Sequence, residues 1–255
     1  MTAFFVTVPA RTRLVMGSGV VMVTIVAWAY LILLSARMGS MGSPLAMPMT
    51  SAWNAQDIML MWTMWAVMMV GMMLPTAVPM IAAYTTTIRS GNTALAGSTP
   101  AFVVGYLAAW SAFAAIATSI QWFLHDAALV NAMGTSTSNA LGGVILVGAG
   151  VYQFTSLKRA CLNQCRTPLG FLLHAWRPGR AGALIMGLHH GTFCIGCCWA
   201  LMGLLFVLGV MNLWWIALVA ALVLLEKVVP STTLTRVVGV GLTVWGIGLA
   251  VGVGA

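Results

Sequence analysis

Long runs of apolar residues, separated by short polar or basic loops, make up most of this chain. Seven of these runs are close to the length of about 20 residues that an α-helix needs to cross a bilayer. The pattern predicts an all-α fold, a polytopic transmembrane bundle of about seven helices that forms one domain over residues 1–255. The predicted segments are 14–36, 58–88, 100–124, 139–157, 183–208, 212–229 and 235–254.

The second predicted segment is too long for one straight span, and it contains Pro75 and Pro79. Proline has no amide N–H and its ring clashes with the preceding turn, so we expect a kinked helix over 58–88. The fifth and sixth segments are separated only by Gly209 to Asn212. Glycines are abundant in the fourth and seventh segments, and small residues let helices approach closely, so we expect these two segments to be packing elements.

Composition supports a membrane protein. Hydrophobic residues make up 61% of the 255 positions and charged residues 5%, and the mean hydropathy is +1.02. Soluble domains carry about 25% charged residues, so we expect a multi-pass protein of the cell's inner membrane. The first apolar run, of about 21 residues, exceeds the signal-peptide core of about 7–15 residues, and we interpret it as a retained first helix.

The distribution of basic residues predicts the orientation. With the N-terminus inside, ten of the eleven Lys and Arg residues fall on the cytoplasmic side, and only Arg37 falls outside. This asymmetry is the positive-inside signal of membrane proteins. The net charge of +8 is therefore explained by membrane topology and by contact of basic residues with lipid headgroups. For this reason we expect no nucleic-acid partner. The ten cytoplasmic residues are Arg11, Arg13, Arg89, Lys158, Arg159, Arg166, Arg177, Arg180, Lys227 and Arg236.

The stretch GLHHGTFCIGCCWALM in the fifth segment carries the most distinctive chemistry. On an α-helix His190, Cys194 and Cys197 share one face, and Cys198 lies at its margin. Imidazole and thiol groups are costly to leave unpaired in hydrocarbon, and together they form a soft ligand set for Cu(I) or Zn(II). The alternative is that the cysteines pack as small hydrophobic residues and the histidines form hydrogen bonds within the bundle.

Methionines form a stripe along the second segment. Met61, Met64, Met68 and Met72 recur at helical spacing and cover one face. Thioethers are soft ligands that suit Cu(I), so we predict that the stripe faces inward, towards the fifth segment, and that Met68 and Met72 are candidate ligands. Packing is the alternative, because methionine is a flexible side chain that fills irregular gaps in a core.

A second pair of thiols lies in the basic segment between the fourth and fifth apolar runs. Cys161 and Cys165 are one helical turn apart, so both can face one ion from a short amphipathic helix along the inner surface. Two cysteines alone do not complete a four-ligand zinc site. Packing of this segment under the bundle is the alternative.

Glu226 ends the sixth segment, and Lys227 follows it. We expect Lys227 to extend outward to the membrane surface, which leaves the carboxylate to face the bundle. From there Glu226 is a candidate to accept the free N–H of a metal-bound His190. The alternative is a plain salt bridge between Glu226 and an Arg or Lys at the membrane surface.

Four segments of the chain, in this order, resemble the DUF2182 family of predicted metal-binding integral membrane proteins. They are WAVMMVGMMLP, YQFTSLKRACLNQC, GLHHGTFCIGCCWALM and MNLWWIALVAALVLLEKVVP, and they span roughly residues 60 to 230, in the motif-bearing part 58–230. The resemblance implies metal binding and no particular reaction. It also implies that His189 is dispensable, and it implicates Cys161, Cys165, His190, Cys194, Cys197, Cys198 and Glu226.

Three functions are compatible with these residues. The first is copper handling, in which a membrane protein binds Cu(I) and moves, buffers or delivers it, with a metallochaperone or a membrane enzyme complex as partner. The second is a subunit of a copper-dependent membrane oxidoreductase or monooxygenase that acts on an apolar substrate. The third is a structural subunit whose Cys and Met residues only pack.

We favour copper handling, and we expect the bound ion to be copper in preference to zinc. The sequence does not decide whether the protein is an enzyme. The sequence contains no phosphate-binding loop and no pattern of a nucleophile with its base, which argues against ATP-driven pumps and hydrolases.

Overall fold

The computed structural model describes residues 10–38, 53–90, 97–130 and 135–252. Within these ranges the regular structure is helical, which confirms the predicted all-α fold. The helices in chain order are α1 (Ala10–Met38), α2 (Ala55–Met73), α3 (Val78–Ser90), α4 (Ser98–Asp126), α5 (Asn139–Tyr152), α6 (Ser156–Arg166), α7 (Pro168–Ala175), α8 (Gly179–Gly203), α9 (Leu205–Leu208), α10 (Leu213–Val228) and α11 (Thr232–Ala250), with a 3-10 turn (Pro75–Ala77) between α2 and α3.

Five helical segments in the described ranges are long and apolar enough to cross a membrane. They are Gly17–Arg37 of α1, α2, α4, α8 together with α9, and α11. Helices α5 and α6 are long and apolar enough to cross a membrane only when they are taken together, as a pair bent by 63°. Counting this pair as one span gives six spans. The predicted count of seven is therefore not supported. Helix α10 has 16 residues and a length of about 24 Å, which falls short of a hydrocarbon core about 30 Å thick. The cytoplasmic placement of the N-terminus stays a prediction.

Pro75 divides the second predicted segment. Helix α2 ends at Met73, the 3-10 turn begins at Pro75, and α3 begins only at Val78. The expected kink is thus a complete break, because proline cannot donate a backbone hydrogen bond inside a helix. The carbonyl of Met73, released from helical pairing, accepts hydrogen bonds from the hydroxyls of Thr76 at 2.8 Å and Tyr106 at 3.0 Å. The break thereby brings polar groups into the interior of the bundle.

Helix α8 lies at the centre of the fold, and its closest partner is α4. Two glycines make this approach possible. A methyl group on Gly105 of α4 would overlap the backbone carbonyl of Leu184, and one on Gly187 of α8 would overlap that of Phe102. Small residues at a crossing let two backbones touch directly. Helix α6 packs on another side of α8, so α8 is enclosed along the face that carries its cysteines.

Helices α5 and α11 form a second close pair. A Cβ on Gly143 would lie 2.7 Å from the carbonyl oxygen of Gly246, and a Cβ on Gly150 would lie 2.8 Å from that of Gly239. These glycines belong to the fourth and seventh predicted segments. Their expected role as packing elements is confirmed, since each segment uses its glycines to contact the other.

Candidate functional site

The cysteines of α8 all point into the protein. Cys194, Cys197 and Cys198 are each 1% exposed, and His190 is 3% exposed, whereas His189 is exposed. The predicted shared face of His190, Cys194 and Cys197 is therefore confirmed, and the structure shows that it points inward. It contacts α4 on one side and α6 and α10 on others, so several helices contribute to the surroundings of the thiols.

Cys194 has two polar partners from other helices. Its sulfur lies 2.9 Å from the ammonium nitrogen of Lys227 and 3.1 Å from the hydroxyl of Tyr106. Lys227 also donates to the hydroxyl of Thr76 at 2.8 Å, at the break after α2. The expectation that Lys227 extends outward is wrong, because Cys194 and Thr76 supply acceptors inside the bundle and the side chain is only 5% exposed.

Five sulfur atoms from α2, α6 and α8 lie together. The sulfur of Cys198 is 3.9 Å from that of Met73, and the sulfur of Cys165 is 3.9 Å from that of Cys197. The thiols of Cys165, Cys197 and Cys198 are all within interaction range of Cys194. We call Met73, Cys165, Cys194, Cys197 and Cys198 the sulfur cluster.

The spacing of the sulfur cluster suits a shared soft ion. Two metal–sulfur bonds of about 2.3 Å place their sulfurs about 3.8 Å apart at a tetrahedral angle and about 4.6 Å apart when linear. Both 3.9 Å separations, Cys198 to Met73 and Cys165 to Cys197, fall in this range. Either pair can therefore hold one ion after small side-chain rotations.

Those rotations are needed because the thiols of Cys197 and Cys198 point towards the backbone of their own helix, α8. Cys197 and Cys198 both donate to the carbonyl oxygen of Cys194, at 3.1 and 2.9 Å. Such back-bonding to the preceding turn pairs each thiol with a backbone carbonyl of its own helix. In this arrangement, no group of three or more His, Cys, Asp or Glu side chains among the described residues is placed to hold a metal ion.

Glu226 does not orient His190. One carboxylate oxygen lies 2.7 Å from the ammonium of Lys158, with both side chains almost fully buried, and the other oxygen has no hydrogen-bond partner. The Nδ1 atom of His190 also has none, and its ring lies among the aromatic rings of Tyr106 and Phe171. The expected hydrogen bond to the imidazole is therefore wrong. Glu226 does form a salt bridge, as in the alternative, but the pair lies in the interior, where a carboxylate needs a close cation, and not at the membrane surface.

The segment between the fourth and fifth apolar runs contributes one thiol to the sulfur cluster. It forms the amphipathic helix α6, as predicted, which places Cys165 beside Cys197. Cys161 is also buried, and it packs against Gly196 of α8, where a Cβ would lie 2.7 Å from its sulfur. The two thiols of this helix therefore have different neighbours: Cys165 lies 3.9 Å from the sulfur of Cys197, and Cys161 lies against Gly196.

The methionine stripe of α2 is buried, as predicted. Met68 is 0% and Met72 2% exposed, but α2 packs chiefly against α4 and α1, so the expectation that the stripe faces the fifth segment is wrong for most of its length. Contact with α8 comes from Met73, next to the stripe, through Cys198. A ligand role for Met68 and Met72 stays a prediction.

Four residues of the site were not found from the sequence: Met73, Thr76, Tyr106 and Lys227. Met73 lies off the stripe because it follows Met72 directly and therefore points about 100° away on the helix. A signal existed for Lys227, since a charged residue beside an apolar run is a candidate functional residue. Thr76 and Tyr106 carried no signal in the sequence.

Comparison with known proteins places this site in a family. No curated protein and no solved structure matches the chain. A family model, PpoB2, described as a copper chaperone, matches residues 62–249. This range contains the whole sulfur cluster together with Tyr106 and Lys227. The match supports a copper-related function, as expected from the sulfur ligands, while the DUF2182 name stays an expectation. The chain belongs to the PpoB2 copper chaperone family.

Proposed function

We propose that this chain is an integral protein of the inner membrane that binds Cu(I) at the sulfur cluster and delivers it to an acceptor. The observation that carries the proposal is the meeting of five sulfur atoms from three helices in the interior. Thiolate and thioether sulfur are the ligands that Cu(I) prefers. The copper is the cargo of the protein, and the five apolar helices hold the site within the lipid bilayer.

The primary binding position in this proposal consists of Cys194, Cys198 and Met73. Cys194 and Cys198 are one turn apart on α8, and Met73 lies 3.9 Å from Cys198. Two thiolates and one thioether suit Cu(I), whereas a structural Zn(II) site needs four ligands in a tetrahedron. Copper is therefore favoured over zinc.

Delivery uses the second pair of thiols. Cys165 and Cys197 lie 3.9 Å apart and adjoin Cys194. A thiolate from this pair can bind the ion before the first pair releases it, so copper moves by ligand exchange without passing through a free state. Cys165 lies on α6 and is half-buried, whereas the three cysteines of α8 are fully buried, so the acceptor in this proposal approaches from the side of α6. The partner is a metallochaperone or a membrane enzyme that requires copper.

The oxidoreductase alternative is less well supported. A cavity of about 730 Å³ lies between α4, α5 and α8, with apolar lining residues that include Phe113, Ile145 and Trp199. It has the size and character of a site for an apolar molecule. None of the residues that line it belongs to the sulfur cluster, so a molecule held there would not meet copper bound by the cysteines.

The proposal is tested with purified protein in detergent under reducing conditions, by titration of Cu(I) against a competing chelator. We expect stoichiometric binding by the wild type and its loss in the double variant Cys194→Ser/Cys197→Ser, because this change removes one thiolate from the primary position and one from the Cys165–Cys197 pair. The matched control is His189→Ala, on the exposed face of α8, which should retain full binding. A folded double variant with undiminished copper would place the site elsewhere.

A further inference from the structure

Lys227 places a positive charge inside the bundle, in contact with the sulfur cluster. It is 5% exposed, and its ammonium nitrogen lies 2.9 Å from the sulfur of Cys194 and 2.8 Å from the hydroxyl of Thr76. Neither contact is with a carboxylate. A buried ammonium without an anion nearby is strongly unfavourable, so this position needs a negative partner.

The acidic residues of the chain do not supply that partner. There are three of them, and Glu226 is bound to Lys158 at 2.7 Å. Asp57 lies in the first turn of α2, about 25 Å along the helix from the 3-10 turn. Asp126 is the last residue of α4 and is exposed. The groups that can become anionic beside Lys227 are therefore the thiols of the sulfur cluster.

This inference rests on the proposed function. We propose that Lys227 makes the sulfur cluster bind a monovalent metal ion in preference to a divalent one. Two thiolates carry a charge of about −2, and their protons leave to solvent when the metal binds. With Cu(I) the bound group has a net charge of −1, which the ammonium neutralises. With a divalent ion the bound group is already neutral, and the ammonium stays without a counter-charge in the interior.

The size of this selection follows from the geometry. The ammonium contacts the sulfur at 2.9 Å, and an ion bound to that sulfur lies about 5 Å from the nitrogen once a metal–sulfur bond of about 2.3 Å is added at an angle. The two bound states differ by one unit of charge. At an effective dielectric constant near 20 and this separation, the difference corresponds to about a 300-fold change in relative affinity.

The test compares the dissociation constants of Cu(I) and Cd(II), since both ions are soft and thiophilic and they differ in charge. Wild type and Lys227→Gln are titrated in detergent with each ion alone. We expect Lys227→Gln to shift the ratio of the two dissociation constants about 300-fold towards Cd(II). Lys227→Arg keeps the charge and should keep the wild-type ratio. If Lys227→Gln does not fold, Lys227→Leu serves as the neutral variant.

Tyr106→Phe is the matched control. It removes the other polar partner of Cys194, at 3.1 Å, without changing any charge, so it should alter both affinities by the same factor. An unchanged ratio in the neutral variant, or an equal shift in Lys227→Arg, would overturn the role of Lys227. Failure of the wild type to bind Cu(I) would instead overturn the proposed function itself.

Discussion

The buried ion pair between Lys158 and Glu226 should make this protein very sensitive to the loss of either partner alone. The two side chains lie 2.7 Å apart, and they are 1% and 2% exposed. Lys158→Met leaves the carboxylate of Glu226 in the interior without its only side-chain partner, because its second oxygen has no hydrogen bond. At this distance the Coulomb attraction is about 6 kcal/mol for an effective dielectric constant of 20, and breaking such pairs typically costs about 3–5 kcal/mol.

We therefore expect Lys158→Met to lower the free energy of unfolding by about 3–5 kcal/mol. The double variant Lys158→Met/Glu226→Leu should recover most of this loss, since it removes both charges from the interior. The measurement is helix content by circular dichroism during titration with a denaturing detergent. The control is Arg159→Met, an exposed neighbour on α6, which should change stability by no more than about 0.5 kcal/mol.

Two results would refute this reasoning. A loss below about 1 kcal/mol for Lys158→Met would mean that the carboxylate finds water or another cation, as at a surface salt bridge. A double variant as unstable as the single one would mean that the side chains contribute through packing and not through charge.

Two further predictions concern packing and hydrogen bonding in the bundle. Gly187→Ala should cost about 2–3 kcal/mol, because its methyl group would force α8 away from the backbone of Phe102; Gly148→Ala, with open space around it, is the control and should be neutral in the same unfolding titration. Gln121→Leu should cost about 1–3 kcal/mol, because the indole N–H of Trp65 loses its acceptor at 2.6 Å in the interior. Trp65→Phe in the Gln121→Leu background should recover most of that stability, and no recovery would contradict the role of this hydrogen bond.

The sequence by itself determined the elements of this protein and the faces of several of them. Apolar runs specify helices, and the 3.6-residue period specifies that His190, Cys194 and Cys197 share one face. Both are local properties, which follow from the backbone and from neighbouring residues. A disruption of the helix at Pro75, predicted as a kink, and the amphipathic helix that carries Cys165 were predictable for the same reason.

The tertiary structure decided which groups meet. Whether Lys227 extends outward or inward depends on acceptors that Thr76 and Cys194 bring from distant parts of the chain. Several cations and one imidazole were possible partners for Glu226 in the sequence. Lys158 is its partner because of the position of α6 in the fold. Contacts between helices depend on crossing angles and on competition among many faces at once, and a sequence pattern that repeats within each helix contains no information about its neighbours.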